Sequence, residues 1–201
     1  MKRFPYEHRL QKEILFYPER PDDFSGYSLE IGPGRGDFLL SIAEMHPDKK
    51  FVAIEIGKKR YYKMIPRIEK KGLKNILLIC GDSRIVINEM FGDARFERAY
   101  VLFPDPWPKR RHLPNRLLSI DFIRLVSSVI SPGGHFFSAT DYFPYAIWTT
   151  GNLQKVDDLT NSSDDFFTTM DRIDDYTPSF FEQKWRNEGR HIYYMRYRKS
   201  S

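Results

Sequence analysis

Asp105 stands between two prolines, two residues before Trp107, and Lys109, Arg110, Arg111 and His112 follow with no acid among them. Pro104, Pro106 and Pro108 remove backbone donors and fix φ, so this stretch can be neither helix interior nor central strand and must be a stiff, extended loop. A carboxylate, a flat ring and a cationic run on one rigid loop suit a partner that is polyanionic and partly aromatic. Asp105 can oppose positive charge, or serve as a turn residue between prolines. Trp107 can stack on a base or pack in the core. Lys109, Arg110, Arg111 and the nearby Arg116 can pair with phosphates, and His112 suits a loop hydrogen bond or a phosphate contact.

A second set of carboxylates lies at the ends of short apolar runs. Glu30 precedes Gly32-Pro33-Gly34-Arg35-Gly36-Asp37, Glu55 closes residues 51–55, and Asp82-Ser83 follows residues 76–80. A glycine turn between a strand and a helix is the context in which such a turn carries meaning. A dinucleotide fingerprint would have its third glycine at position 37, where this chain has Asp37. Two carboxylates beside the turn would repel a pyrophosphate at the helix N-terminus, which argues against a nicotinamide-dependent oxidoreductase. They suit a ligand whose near end is cationic, and S-adenosylmethionine carries an ammonium and a sulfonium and no phosphate. Glu55 is then placed to accept ribose hydroxyls, and Asp82 to meet the adenine edge. Taken singly, Glu30 could partner a helix cap and Asp82 could be a plain N-cap; acids at four successive strand ends favour a nucleoside ligand.

The elements that must position these residues alternate. Strands are expected at residues 27–31, 51–55, 76–80, 98–103 and 135–139, and helices at 38–45, 58–71, 84–90, 121–130 and 142–153. Pro66 should kink or interrupt the second helix, Gly72 closes it, and Ser131-Pro132-Gly133-Gly134 stops the fourth. Residues 155–165 read as a polar surface loop, 166–170 as a short strand, and 192–198 as a final strand. Strands alternating with helices predict an α/β fold with a mostly parallel, doubly wound sheet and helices on both faces. Residues 1–27 mix Lys2, Arg3, His8, Arg9 and Lys12 with aromatics. They form either a terminal arm or covering helix, or a basic arm that reaches nucleic acid, ahead of a single domain over 28–201.

The net charge of +5 and pI near 9.2 permit an acidic partner such as nucleic acid. Cys80 is the only cysteine, so a disulfide framework is impossible and a reducing cytoplasm is expected. Cys80 itself belongs to an apolar run and reads as core. No apolar run is long enough to span a bilayer. The first residues lack the apolar segment of a signal peptide, and no metal site is expected.

The residues resemble a known family. Leu29-Glu30-Ile31-Gly32-x-Gly34-x-Gly36 resembles the first motif of the class I methyltransferases, and Phe103-Pro104-Asp105-Pro106-Trp107-Pro108-Lys109-x-Arg111-His112 resembles the more specific signature of the tRNA (guanine-N7)-methyltransferases. Ala139-Thr140-Asp141 and Ser179-Phe180-Phe181-Glu182 fall where that family has equivalents, so the resemblance covers residues 28–198. Leu113-Pro114-Asn115 interrupts the usual run of cations, and Ser179 stands where the family has threonine. The resemblance implies a Rossmann-like class I sheet with one antiparallel strand near the C-terminus. It also implies methylation of a guanosine in the tRNA variable loop by S-adenosylmethionine; a monomer or homodimer is expected. It places Glu30, Gly32, Gly34, Gly36, Glu55, Asp82, Ser83 and Asp105 around the cofactor. Lys109, Asp141, Ser179, Phe180, Phe181 and Glu182 then meet the substrate, and Arg110, Arg111, His112 and Arg116 lie against RNA.

Guanine N7 carries an in-plane lone pair and no proton, so attack on a sulfonium methyl needs alignment and no general base. The product ring is cationic. A fixed carboxylate beside it, with Asp105 the candidate, would stabilise that charge as it develops. Asp141 could read the guanine N1–H and N2–H edge or cap the following helix. Two other classes fit less well. An exocyclic-amine methyltransferase favours two prolines between acid and aromatic, whereas one separates Asp105 from Trp107. A non-catalytic RNA-binding domain would have no need of the acids at four strand ends.

Overall fold

Alternate residues along the central strands face opposite sides of one sheet, and both sides are covered. The computed structural model describes residues 14–19, 24, 26–92, 94–163, 165–169 and 176–201. Its strands are β1 (Leu15–Tyr17), β2 (Tyr27–Ile31), β3 (Lys50–Glu55), β4 (Ile76–Cys80), β5 (Phe96–Leu102), β6 (Ile130–Thr140), β7 (Leu159–Asn161) and β8 (Tyr193–Lys199). Its helices are α1 (Asp37–Met45), α2 (Lys58–Lys71), α3 (Ser83–Met90), α4 (Ile120–Ser128), α5 (Phe143–Leu153) and α6 (Phe180–Asn187). Leu29, Ile31, Val52, Ile54, Ala99 and Val101 point into a core shared with α3, α4 and α5. Phe51, Ala53, Leu78, Tyr100 and Leu102 point into a second core shared with α1 and α2. This period of two is the pleat expected of strands buried on both faces.

The sheet order is β1-β4-β3-β2-β5-β6-β8-β7. From β4 through β6 neighbouring strands are parallel, while β1 on β4 and β8 on β6 are antiparallel. The chain winds outward from β2 to β4 and then restarts on the other side at β5, so strand order reverses between β2 and β5. At such a switch point the connections leave in opposite directions and open a crevice at the carboxyl ends of the strands. The glycine turn after β2 and the proline-rich loop after β5 flank that crevice.

Several boundaries depart from sequence expectation for identifiable reasons. Pro66 lies within one continuous α2. The carbonyl it leaves unpaired is that of Tyr62, on the solvent side of the helix where water can satisfy it. The Ser131-Pro132-Gly133-Gly134 stretch does not separate a helix from a strand, because β6 already begins at Ile130 and absorbs it as an irregularity. Phe96 pairs with Ile130 and Arg98 with His135. Residues 15–17, expected in the arm, form an edge strand on β4, and Leu159–Asn161, expected in a loop, pairs with β8. Around Thr168 there is only an isolated bridge to Tyr194, and Met170 lies outside the described residues. Among the expected arm contacts, Lys2, Arg3, His8, Arg9 and Lys12 also lie outside them. No helix among the described residues is long and apolar enough to cross a membrane. No group of three or more His, Cys, Asp or Glu among them is placed to hold a metal ion.

Candidate functional site

Glu30 occupies the β2 position that faces the second core, between Leu29 and Ile31, which face the first. That placement leaves its carboxyl 4% exposed, and Oε2 has no hydrogen-bond partner among the described residues. Burial, then the nearby Glu55 and Asp37 carboxylates, push its pKa up from 4.5 to about 8. The side chain borders a cavity of about 60 Å³ that Gly32, Pro33, Gly34, Arg35, Phe103, Ser179, Phe180 and Phe181 also line. The Arg35 guanidinium lies 4.1 Å from the centre of the Phe180 ring. The glycine turn and the segment 179–181, distant in sequence, therefore share one cavity.

The turn is held from behind. Gly34, at φ +61°, donates its N–H to Glu55 Oε2 at 3.2 Å. Glu55 Oε1 accepts from the Gly57 N–H at 2.6 Å and pairs with Arg60 at 3.0 Å. Gly36 precedes α1 at φ +76°, and a Cβ there would meet Met64 Sδ of α2 at 2.7 Å, so only glycine permits both the left-handed turn and this approach. Arg67 of α2 pairs with Asp37 at 2.9 Å and also donates to the Arg35 carbonyl. Asp82, 3% exposed, caps α3 by accepting from the Arg84 N–H at 2.9 Å and pairs with the Arg84 side chain at 3.1 Å. Ser83 is the first residue of that helix and is buried. Glu55 and Asp82 thus stand at the expected strand ends with carboxylates already committed in part to the local backbone.

Across the crevice, the Phe103 N–H donates to the Ala139 carbonyl at 2.8 Å before the chain leaves the sheet. Phe103 and Trp107 take φ values of +50° and +41°, uncommon for non-glycine residues and costly by about 1–3 kcal/mol each. These two strained residues bracket Pro104-Asp105-Pro106 and present Asp105 to solvent. Trp107 belongs to neither core; it is half-buried and meets the edge of His112 at 5.4 Å. His112 Nε2 in turn accepts from Arg111 Nε at 3.1 Å. A 3-10 helix, Arg110–Asn115, continues the loop. Lys109, Arg110 and Arg111 are exposed, and no carboxylate among the described residues pairs with them. Asp141 follows β6 and does not cap α5, whose N-cap residue is Tyr142. Its carboxylate pairs with Arg190 at 2.7 Å, and that guanidinium lies 3.8 Å from the centre of the Trp185 ring.

Comparison with known proteins agrees with this arrangement. A family profile described as "Putative methyltransferase" matches residues 26–195. A tRNA (guanine-N(7)-)-methyltransferase of Nitrosomonas eutropha is 36% identical over 172 residues, covering 82% of this chain and 77% of the relative. A protein of the same name from Leptospira interrogans is 33% identical over 191 residues, covering 93% and 83%. The chain belongs to the tRNA (guanine-N7)-methyltransferase family. Among solved structures, the 16S rRNA methyltransferase KamB superposes with a TM-score of 0.63 at 16% identity, covering 90% of this chain and 89% of that one. A SAM-dependent methyltransferase from Aquifex aeolicus superposes at 0.59 and 13%, covering 86% and 81%. At these identities the likeness establishes the shared fold.

Two residues of the family-implied contact set are engaged inside the protein in this structure. Arg116, expected against RNA, is 8% exposed. Its Nε donates to the Pro106 carbonyl at 2.9 Å, and its guanidinium lies 5.2 Å from the Tyr145 ring centre and 5.0 Å from that of Trp148. It anchors the proline loop to α5. Glu182, expected to touch substrate, is fully buried. Its carboxylate accepts from Arg186 Nε at 2.9 Å and from the Tyr176 and Tyr194 hydroxyls, while its N–H donates to Ser179 Oγ at 3.2 Å. Burial, followed by the Glu182 carboxylate, holds the Tyr194 phenol above its ordinary pKa. Glu182 therefore fixes the segment 179–181 against β8, and Tyr176, Arg186 and Tyr194 are site-supporting residues that sequence reading missed. The only signal was Ser179 three residues before Glu182, a capping-box spacing.

The Arg116 assignment has a measurable consequence. Arg116→Ala should lower stability by about 2–4 kcal/mol, through lost desolvated cation–π contacts and a charged hydrogen bond. The urea midpoint should fall at an unchanged m-value, whereas Arg110→Ala, an exposed neighbour, should shift stability by less than about 0.5 kcal/mol. Equal midpoints for the two variants would return Arg116 to the solvent-facing set.

Proposed function

We propose that this chain methylates guanine N7 in tRNA, with S-adenosylmethionine as donor, where the glycine turn and the proline loop face each other. The observation that carries the reading is the opposition, across one switch point, of a pocket with a buried, unpartnered carboxyl and an exposed cationic loop. Glu30 fits a cationic ligand end, since its buried Oε2 lacks a partner among the described residues that an ammonium could supply. S-adenosylmethionine, when bound, supplies an electrophilic methyl on a sulfonium. Glu30 and the turn at Gly32 and Gly34 would hold its amino-acid end, with Gly36 shaping the turn, and Glu55, Asp82 and Ser83 its nucleoside. Lys109, Asp141, Ser179, Phe180 and Phe181 orient the guanine, and Asp105 opposes the charge that grows on the ring. Arg110, Arg111 and His112 meet the RNA backbone. No residue has to remove a proton, because N7 carries none. We take residues 28–201 as one methyltransferase domain working in the cytoplasm as a monomer or homodimer, with residues 1–27 as an arm that joins its sheet through β1.

The test is incubation with methyl-labelled S-adenosylmethionine and bulk tRNA, followed by digestion to nucleosides. Label in 7-methylguanosine is expected; label on an exocyclic amine would assign a different methyltransferase, and none would leave an RNA-binding domain. The exposed, uncompensated cations allow a second check. Alanine at both Arg110 and Arg111 should weaken tRNA binding and flatten its salt dependence by about one unit of log–log slope per lost contact, with cofactor affinity unchanged. An unaltered slope would make the loop a solvated surface only.

A further inference from the structure

We propose that Phe143, Phe166, Phe167 and Tyr193 form a platform on which unpaired bases of the RNA substrate stack beside the target guanosine, an inference that rests on the tRNA reading above. The rings of Phe143, Phe167 and Tyr193 touch one another, with centres 6.0, 5.4 and 5.2 Å apart. Phe143 is 50% exposed, Phe167 and Tyr193 are half-buried, and Phe166, the sequence neighbour of Phe167, is 64% exposed. Ile147, one turn along α5 on the Phe143 side, is 51% exposed. Apolar residues exposed singly are ordinary, but a contiguous cluster of large ones marks an interaction site.

Its position specifies the occupant. Tyr193 is paired with Thr140, the last residue of β6, and Phe143 begins α5 three residues later. The platform therefore stands at the same carboxyl edge as the proline loop. It lies two strands from the point where Phe103 leaves β5, roughly 10 Å at the usual strand spacing. Asp141 and the Arg190 stacked on Trp185 lie at this edge, and Lys109, Arg110 and Arg111, paired with no carboxylate among the described residues, follow β5. Aromatic rings beside a cationic track are the composition of a single-strand nucleic-acid site, where rings take the bases and cations take the backbone. Asp165, exposed beside Phe166, would repel a phosphate at the platform itself, so contact there should be made through bases alone. A guanine drawn out of the RNA into an enzyme pocket loses its stack, and a flat surface at the same edge of the sheet compensates the stacking that its neighbours lose.

The double variant Phe143→Ala, Phe166→Ala tests this, since Phe143 is half in solvent and Phe166 is 64% exposed, and their loss should leave the thermal midpoint within a few degrees. tRNA affinity should fall on the order of 5- to 100-fold, with S-adenosylmethionine affinity and the slope of log K against log salt unchanged. Tryptophan at both positions should retain binding, and leucine at both should not, because stacking needs a planar face. The idea is overturned if the alanine variant binds tRNA like the parent. It is also overturned if leucine restores binding or if the alanine changes alter the oligomeric state, which would mean an apolar protein contact. Parent protein that binds no tRNA would overturn the tRNA reading itself, an outcome distinct from a failure confined to the variants.

Discussion

Asp105→Asn is expected to lower the single-turnover rate of methyl transfer by roughly 10²–10³-fold, the range seen when one group aimed at developing charge is removed. tRNA affinity should change far less, because the interaction strengthens only as the guanine ring becomes cationic. The loop around Asp105 would hold such a carboxylate in place although it is exposed. Phe103 and Trp107 hold uncommon backbone angles on either side of it, Pro104 and Pro106 fix φ beside it, and Arg116 anchors the Pro106 carbonyl from below. Asparagine keeps the size and part of the hydrogen bonding, and loses the charge. At saturating cofactor the rate should be flat between about pH 6 and 9, since no proton leaves N7. A variant with the parent rate, or a steep rise with pH that the variant abolishes, would remove Asp105 from this role.

The legible parts of the fold were those whose local pattern and tertiary fate agree. Residues 76–80 form an unbroken apolar run and became β4, buried throughout; Gly72 closes α2 in the left-handed conformation expected of it. The three-residue strands β1 and β7 have no period long enough to read, and exist because β4 and β8 offer them edges. Helix α6 was missed because its one buried residue is Glu182, so no apolar stripe announces it. In the site, acids at strand ends were readable, since residue type and position suffice. Side-chain commitments were not. Arg116 looks like one more cation of a basic loop, and only the placing of Tyr145 and Trp148 on α5 makes it an anchor. Glu182 looks like one more surface acid of a polar helix, and only the hydroxyls of Tyr176 and Tyr194, the latter brought back on β8 beside β6, show its carboxylate engaged within the fold.

Stability that declines as pH rises from about 5 to 8, and that no longer declines in Glu30→Gln, is the second large effect expected. The Glu30 carboxyl is 4% exposed and near two other carboxylates, and its pKa is pushed up to about 8 from 4.5. Between those values the native protein keeps a proton that the unfolded chain has released. The unfolded state then binds fewer protons, so the free energy of unfolding falls with rising pH across the window and is flat on either side. At about 1.4 kcal/mol per pH unit this amounts to a few kcal/mol. Asp158, whose pKa is lowered despite partial burial by its bonds with Lys199 and Ser127, acts in the opposite sense. Its contribution is lost only as pH falls below about 4, outside the window. A cationic ligand end beside Glu30 reverses the penalty by favouring the ionised carboxylate, so binding should expel a proton and tighten as pH rises toward 8. Denaturant midpoints from pH 5 to 9, and calorimetry of S-adenosylmethionine binding in buffers of different ionisation enthalpy, read both consequences. Parent protein should release close to one proton on binding at pH 7, and Glu30→Gln none. If the variant keeps the parent's pH slope and its proton release, the titrating acid is not Glu30, and the role of opposing a cationic ligand end passes to Asp37, the other acid of the cavity wall.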